Sequence, residues 1–239
     1  MGRRGDGYGS EDHLRHYLAD RRDTFNAEVA RAVGVSPSVI RWLDFPRTAA
    51  GKEHEFTGLR FLPVSEHRAS LSDWREFWPT TGRQQTWDAV GMVGIDWLLA
   101  EAKANHVEFC SGRSGATAGS LKTITRSLGK VKRDLGVHRQ FSWTDSYYQY
   151  ANRLATLWFL RMHNVPARLL FVYFTGDVFP DGRECPATAK DWQRLIEARR
   201  LTLGLPKKHV LSAFEHHVFL PAQSVRPVTR AGSHRELAR

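Results

Sequence analysis

Residues 86–103, TWDAVGMVGIDWLLAEAK, decide how this chain is read. TWDAVGMV and DWLLAEAK are two runs of strand length. The Gly94-Ile95 pair between them suits a two-residue type II′ turn, because glycine accepts the positive φ at the first central position. Such a turn pairs Val93 with Asp96. Facing residue numbers keep a constant sum along an antiparallel ladder, so the same register brings Asp88 opposite Glu101. Directly opposed β-carbons lie about 5 Å apart, and two like charges there need something positive between them. Side chains alternate along a strand, so Glu101 and Lys103 emerge on one face while Ala102 turns to the other and leaves its carbonyl available. Two carboxylates, a backbone carbonyl and waters form the oxygen set that Mg²⁺ or Mn²⁺ prefers. The expectation is that Asp88 and Glu101 hold the metal, with Ala102 contributing through its main chain. A lysine beside such a cation can orient and help deprotonate an attacking water while the cation stabilises charge on phosphoryl oxygens, so Lys103 is expected to serve the water in phosphodiester hydrolysis. A plain surface pair of Glu101 and Lys103 is the simpler account. The apolar character of WLLAEAK on both faces weighs against it, because burial makes unpaired charge costly.

Downstream of the hairpin, Leu121, Ile124, Leu128 and Val131 recur at helical spacing within residues 114–135, and Gly136 closes that helix. Asp145 is expected to cap a second helix running to about His163. On it Asp145, Gln149, Asn152 and Arg153 fall near one face, with Leu154, Leu157 and Trp158 on the buried side. If the polar face looks at the site, Asn152 and Arg153 become substrate-binding residues, Arg153 for phosphate; a solvated flank is the alternative. ARLLFVYFTGD (167–177) is a continuous apolar run and reads as a buried central strand, with Asp177 as a turn aspartate just beyond it. Residues 191–203 form another amphipathic helix, and 217–220 a last short strand.

Upstream, Ser10 is expected to cap one helix carrying Leu14, Leu18, Phe25, Val29 and Val33, with Gly34 as its stop. Ser36-Pro37 then restarts a short helix through Val39, Ile40, Trp42 and Leu43, ending before Pro46. NAEVARAVGVSPSVIRWL thus resembles a helix-turn-helix, with Ala30, Gly34, Ile40 and Leu43 at the packing offsets, although Arg41 is the only basic contact residue in its second helix. The stretch 47–75 is left mostly irregular.

The 239 residues carry a formal net charge of +10, spread along the chain, which favours an acidic partner such as nucleic acid. No run approaches the length of a membrane span, and MGRRGDGYGSEDH has no apolar stretch of signal-peptide type. Cys110 and Cys185 stand apart without ligand-spaced neighbours, which suggests neither a disulfide nor a zinc site and suits a soluble cytoplasmic protein. His13, His16, His216 and His217 lack further partners at metal-binding spacing and read as surface histidines.

An acid early in one strand, Glu-x-Lys at the end of the next, a helical crossover and another apolar strand resemble the PD-(D/E)XK, or restriction-endonuclease-like, nuclease superfamily. The resembling core spans residues 83–177. It departs from the family pattern in having Trp87 rather than proline before the first acid, and two helices in the crossover. The resemblance implies an α/β fold, a mixed β-sheet flanked by helices with an αβββαβ core and extra helices. It also implies a Mg²⁺-dependent nuclease acting on DNA, and a catalytic glutamine at Gln149. The expected organisation is an N-terminal helical segment (1–46), a nuclease-like domain (47–220) and a basic, disordered tail (221–239). The competing expectations are a DNA-binding or assembly protein in which the nuclease-like fold is inert and the N-terminal helices read DNA, and a protein-interaction module.

Overall fold

The computed structural model describes residues 9–47, 53–82, 84–138 and 140–223. In chain order these form α1 (Ser10–Asp20), α2 (Arg22–Val33), β1 (Ile40–Trp42), β2 (Phe56–Thr57), α3 (Val64–Phe77), β3 (Thr86–Trp87), β4 (Ala89–Val93) and β5 (Asp96–Lys103). There follow α4 (His106–Cys110), α5 (Ala118–Asp134), α6 (Tyr148–Met162), β6 (Ala167–Thr175), α7 (Ala189–Thr202) and β7 (Glu215–Pro221). The result is an α/β fold with a mixed five-stranded sheet of order β1-β4-β5-β6-β7. The pairs β1/β4 and β4/β5 run antiparallel, and β5/β6 and β6/β7 run parallel. Strands β2 and β3 make a separate two-stranded ribbon.

The hairpin adopts the register that its turn dictates, with Val93 facing Asp96 and Ala89 facing Ala100. Gly94 takes φ +60° while Ile95 is not among the residues at positive φ, the pattern of a type II′ turn. Gly91 permits the close approach of β1, since a β-carbon there would lie 2.7 Å from the Arg41 carbonyl oxygen.

Alternation along the strands sorts the molecule into two cores. Leu99, Leu169, Phe171 and Tyr173 face α5, α6 and α7 together with Leu128, Leu154, Phe159 and Trp192. Leu98, Ala100, Ala102, Leu170, Val172 and Phe174 face α1 and α2, where Leu14, Tyr17, Phe25 and Val29 cover them. β6 is buried on both faces and flanked by β5 and β7, as its unbroken apolar run requires.

Several expectations need correction. The helix expected from Ser10 to Val33 is two, broken at Arg21 (φ −130°), and Ser10 makes no side-chain cap. The helix expected over Val39, Ile40 and Trp42 is a single 3₁₀ turn (Pro37–Val39) followed by β1. Pairing with the hairpin edge overrode a short helical pattern, and the second helix of a helix-turn-helix is therefore not there. Residues 47–75, expected to be mostly irregular, hold all but the last two residues of α3, whose buried residues are only Trp74 and Phe77, too few to mark a periodic face. Asp145 does not cap α6: it accepts a hydrogen bond from Ser142, and Tyr147 holds the N-cap position in a left-handed conformation. Thr117 caps α5, and Thr188 caps α7 in a reciprocal capping box with Asp191. Residues 9–46 supply both β1 and one helical face of the sheet. Of the expected basic tail, residues 224–239 lie outside the described residues.

Candidate active site

The chain leaves the main sheet at Asp88, a bend between β3 and β4, because β3 turns away to pair with β2. The Asp88 N–H still donates to the Ala100 carbonyl (3.2 Å), and its carboxylate Oδ2 accepts from the Ala102 N–H at 2.7 Å. The ladder itself ends at Ala89/Ala100, so Asp88 lies beside the Glu101 segment but outside regular pairing. Ala102 thus meets Asp88 through its amide, with its side chain in the α1/α2 core.

Glu101 is 4% exposed. Its Oε1 accepts from Lys103 Nζ at 2.6 Å, and its Oε2 from Arg153 Nε and Nη2 at 2.8 and 2.6 Å. Lys103 Nζ also reaches Gln149 Oε1 at 3.0 Å. Helix α6 is seated for that contact by the segment before it: the Cys110 carbonyl accepts from the Tyr147 N–H (2.7 Å), and Ser111 Oγ from the Gln149 N–H (3.1 Å). Ser111 (φ 36°) and Tyr147 (φ 61°) both hold positive φ, a strained conformation for residues with side chains. One helical turn after Gln149, the Arg153 guanidinium lies over the Trp87 ring (4.6 Å) and donates to the Thr86 carbonyl (2.6 Å) and Asn152 Oδ1 (2.8 Å).

The structure therefore brings Asp88, Glu101, Ala102, Lys103, Gln149 and Arg153 into one connected cluster at the carboxyl end of β5. Asn152 and Arg153, 6% and 4% exposed, are turned inward on this cluster.

The charges in the cluster do not balance evenly. Burial pushes the Asp88 carboxyl up to about 8, the negative charge of Glu101 adds to this, and Lys103, the Ala102 amide and Arg153 only partly offset it. Burial works in the same direction on Glu101, but Arg153 and Lys103 outweigh it and hold that carboxyl below its ordinary range. Burial disfavours charge on Lys103, yet Glu101 and Asp88 outweigh it, so the lysine is a firmly held ammonium. Asp88 is the acid short of positive charge. It borders a small cavity of about 20 Å³, room for about one water, whose walls include Glu11, Arg15 and Glu55.

Two carboxylates with adjacent backbone polar groups fit a hard divalent cation, and the observation behind that fit is that the Asp88 carboxylate meets the Ala102 N–H but, among the described residues, forms no ion pair. Among the described residues no group of three or more His, Cys, Asp or Glu is placed to hold a metal, so main-chain oxygen and water would complete any ligand set.

A second buried polar cluster joins α6, α7 and β7, elements whose sequence periods do not show that they meet. Tyr150 of α6 donates to both oxygens of Glu215 on β7 (2.9 and 3.0 Å), His217 Nε2 lies 3.3 Å from Oε1, and Arg199 of α7 lies 3.9 Å from it. The Arg199 guanidinium also stacks 3.5 Å from the Tyr150 ring. Its signal was present: Trp192, Leu195, Ile196 and Arg199 share the i, i+3, i+4, i+7 stripe, so an arginine occupies an apolar position. His13 is buried rather than at the surface, 3.0 Å from Asp177, which also accepts the Gly9 N–H at 2.9 Å. His216 also turns inward, to the Ala32 carbonyl (3.1 Å), whereas His16 pairs with Asp20 (2.9 Å) at the surface.

Comparison with protein-family models, with curated proteins and with solved structures found no match for this chain.

Proposed function

We propose that this chain is a metal-dependent nuclease of the restriction-endonuclease-like kind that hydrolyses phosphodiester bonds in DNA. The observation that carries the reading is the convergence at one strand end: Asp88 on the Ala102 amide, Lys103 on Glu101, and Gln149 on Lys103. The arrangement of elements supports it as well: β1, β4 and β5 lie side by side and antiparallel, with β2, α3 and β3 inserted between β1 and β4, and helices α4 to α6 lead to the parallel strand β6.

In this reading Asp88 and Glu101 hold Mg²⁺ or Mn²⁺ with the help of the Ala102 carbonyl. When bound, the cation lowers the pKa of a coordinated water and stabilises charge on the phosphoryl oxygens. Lys103 keeps its proton at Nζ and orients the water and Glu101, while Gln149 fixes the ammonium. Arg153 supplies positive charge to Glu101 until a cation shares that carboxylate, and Asn152 holds the guanidinium in place. Two free cysteines suit a reducing, cytoplasmic setting. No helix among the described residues is long and apolar enough to cross a membrane.

A second reading rests on Glu101 itself, whose oxygens are both taken by cationic side chains. A fully paired buried acid can be a structural device in an inert fold that serves DNA binding or assembly. Incubating the protein and its Lys103→Ala variant with DNA and RNA, with and without Mg²⁺ or Mn²⁺, separates the two. The nuclease reading expects metal-dependent cleavage that falls about 10²- to 10⁴-fold in the variant. Equal cleavage by both proteins exposes a contaminant. Calorimetry that detects no Mn²⁺ binding to the wild type, with no cleavage, leaves the inert reading standing.

A further inference from the structure

Helix α5 lies outside the cluster at β5 and presents a different chemistry. Lys122, Arg126, Lys130 and Arg133 are all exposed and are spaced four, four and three residues apart, which places them on one face. At 1.5 Å per residue the row is about 16 Å long with successive cations about 6 Å apart along the axis. No acid interrupts it; the one acid in α5, Asp134, lies at its end and accepts a hydrogen bond from Trp158 (2.9 Å). The opposite side of the helix, Ile124, Leu128 and Val131, is buried, so the row is fixed outward by packing.

Beside its first half, between the end of α3 and the start of α5, runs an open cleft of about 560 Å³. Arg75 and Arg126 line it together with the hydroxyls of Thr80, Thr81, Ser120 and Thr123; among the described residues Glu76 is its only acid, and the Glu76 carbonyl accepts from Arg126 at 2.9 Å. Guanidinium and hydroxyl donors are the groups that hold phosphate oxygens without reading bases. Among the described residues none of the exposed large hydrophobic side chains lies on α5 or in this cleft, whereas single strands are held by bases stacked on aromatic side chains.

We propose that the outer face of α5 and the α3/α5 cleft form a track for the phosphate backbone of duplex DNA, the substrate class of the nuclease reading on which this inference rests. The track supplies sequence-independent affinity, while the cluster at β5 supplies the chemistry.

Binding is measured by fluorescence polarisation with a labelled DNA duplex in EDTA, so that no cleavage is required, across a range of salt concentrations. Replacing Lys122, Arg126, Lys130 and Arg133 together by Gln is expected to weaken binding about tenfold or more and to flatten the log–log salt slope by about 3 to 4. Replacing Lys190, Arg194, Lys207 and Lys208 by Gln removes the same charge from another exposed surface and is expected to change both far less. Acetylation footprinting of the wild type gives a second measurement that does not depend on a variant folding: DNA should protect Lys122 and Lys130 more than Lys207 and Lys208. Equal losses in the two variants, no loss in either, absent protection, or tighter binding of duplex RNA than of DNA would each overturn the track. Intact binding without cleavage in Mg²⁺ counts against the reading of the β5 site and leaves the track in place.

Discussion

Helix α6 touches two buried polar clusters on the same side of the sheet, and they differ in how their charges are met. In one, Glu215 faces Arg199, His217 and the Tyr150 hydroxyl; burial works to raise its carboxyl, but these partners bring it down to about 2. Tyr173, beside the same arginine, is pushed up to about 12 by burial. In the other cluster two acids share Lys103 and Arg153. Glu101 takes the direct contacts of both, and Asp88 is left with a carboxyl pushed up to about 8 by burial and by its neighbour's charge. A network in which every charge is answered is what a fold uses to hold its elements together, whereas one that keeps an acid out of balance is what a site needs to bind something positive. Substitutions can break that contrast or sharpen it.

The largest stability effect is expected at Glu215. Glu215→Gln leaves the Arg199 guanidinium buried without its counter-charge, and urea denaturation should register a loss of about 3–5 kcal/mol. The double variant Arg199→Met/Glu215→Gln should recover most of it, because no lone charge remains. The pH dependence has a definite sign. The folded carboxyl lies below its ordinary 4.5, so its stabilising contribution is complete above pH 4.5 and is lost as pH falls through about 2. A loss in Glu215→Gln no larger than that of an exposed substitution would remove the contrast with the other cluster.

A smaller effect is expected at Arg153. Arg153→Met removes two charge-assisted hydrogen bonds to Glu101 and should lower stability in EDTA by about 2 kcal/mol. The same change removes the group that competes with a cation for Glu101. Added Mn²⁺ should therefore raise the melting temperature of the variant more than that of the wild type, since a ligand stabilises according to its affinity for the folded state. If Mn²⁺ gives the two proteins equal increments, or none, Arg153 is a structural partner only and the two clusters are alike.

The contrast also explains what the sequence disclosed. The hairpin was legible because a single turn, Gly94-Ile95, fixes the register from Val93/Asp96 to Ala89/Ala100, and Asp88, Glu101 and Lys103 follow just beyond that ladder at one strand end. β6 was legible because nine successive residues without a polar interruption other than Arg168 leave no solvent face. What stayed hidden depends on contacts distant in the chain. β1 is a three-residue strand made by pairing with β4, and α3 turns only Trp74 and Phe77 fully inward, so neither carries a readable period of its own. Arg153 could be placed on a polar helix face, but its partner, Glu101, lies 52 residues away, so spacing along the helix left a site-facing and a solvated flank equally open. The Glu215 cluster joins α6, α7 and β7, and only Arg199 on an apolar stripe hinted at it.

At pH 4 the smallest change is expected at Asp88, and the sign of its growth with pH is the sharpest test of the comparison. Asp88→Asn keeps the shape of the side chain and an oxygen for the Ala102 amide. It removes only the charge that the site does not fully answer. The folded carboxyl lies above its ordinary 3.8, so its stabilising contribution is complete below pH 3.8 and is lost as pH rises through about 8. Asparagine has no such dependence. Near pH 4 the two proteins should differ by no more than about 0.5 kcal/mol, and between pH 4 and 8 the variant should gain on the wild type before the difference levels off. Mn²⁺ should stabilise the wild type and leave the Asp88→Asn variant nearly unchanged, because the acid awaiting positive charge is gone. Should Asp88→Asn instead lose stability steadily with rising pH, the ionised carboxylate is a satisfied structural acceptor, and the β5 cluster would be of the same kind as the one around Glu215.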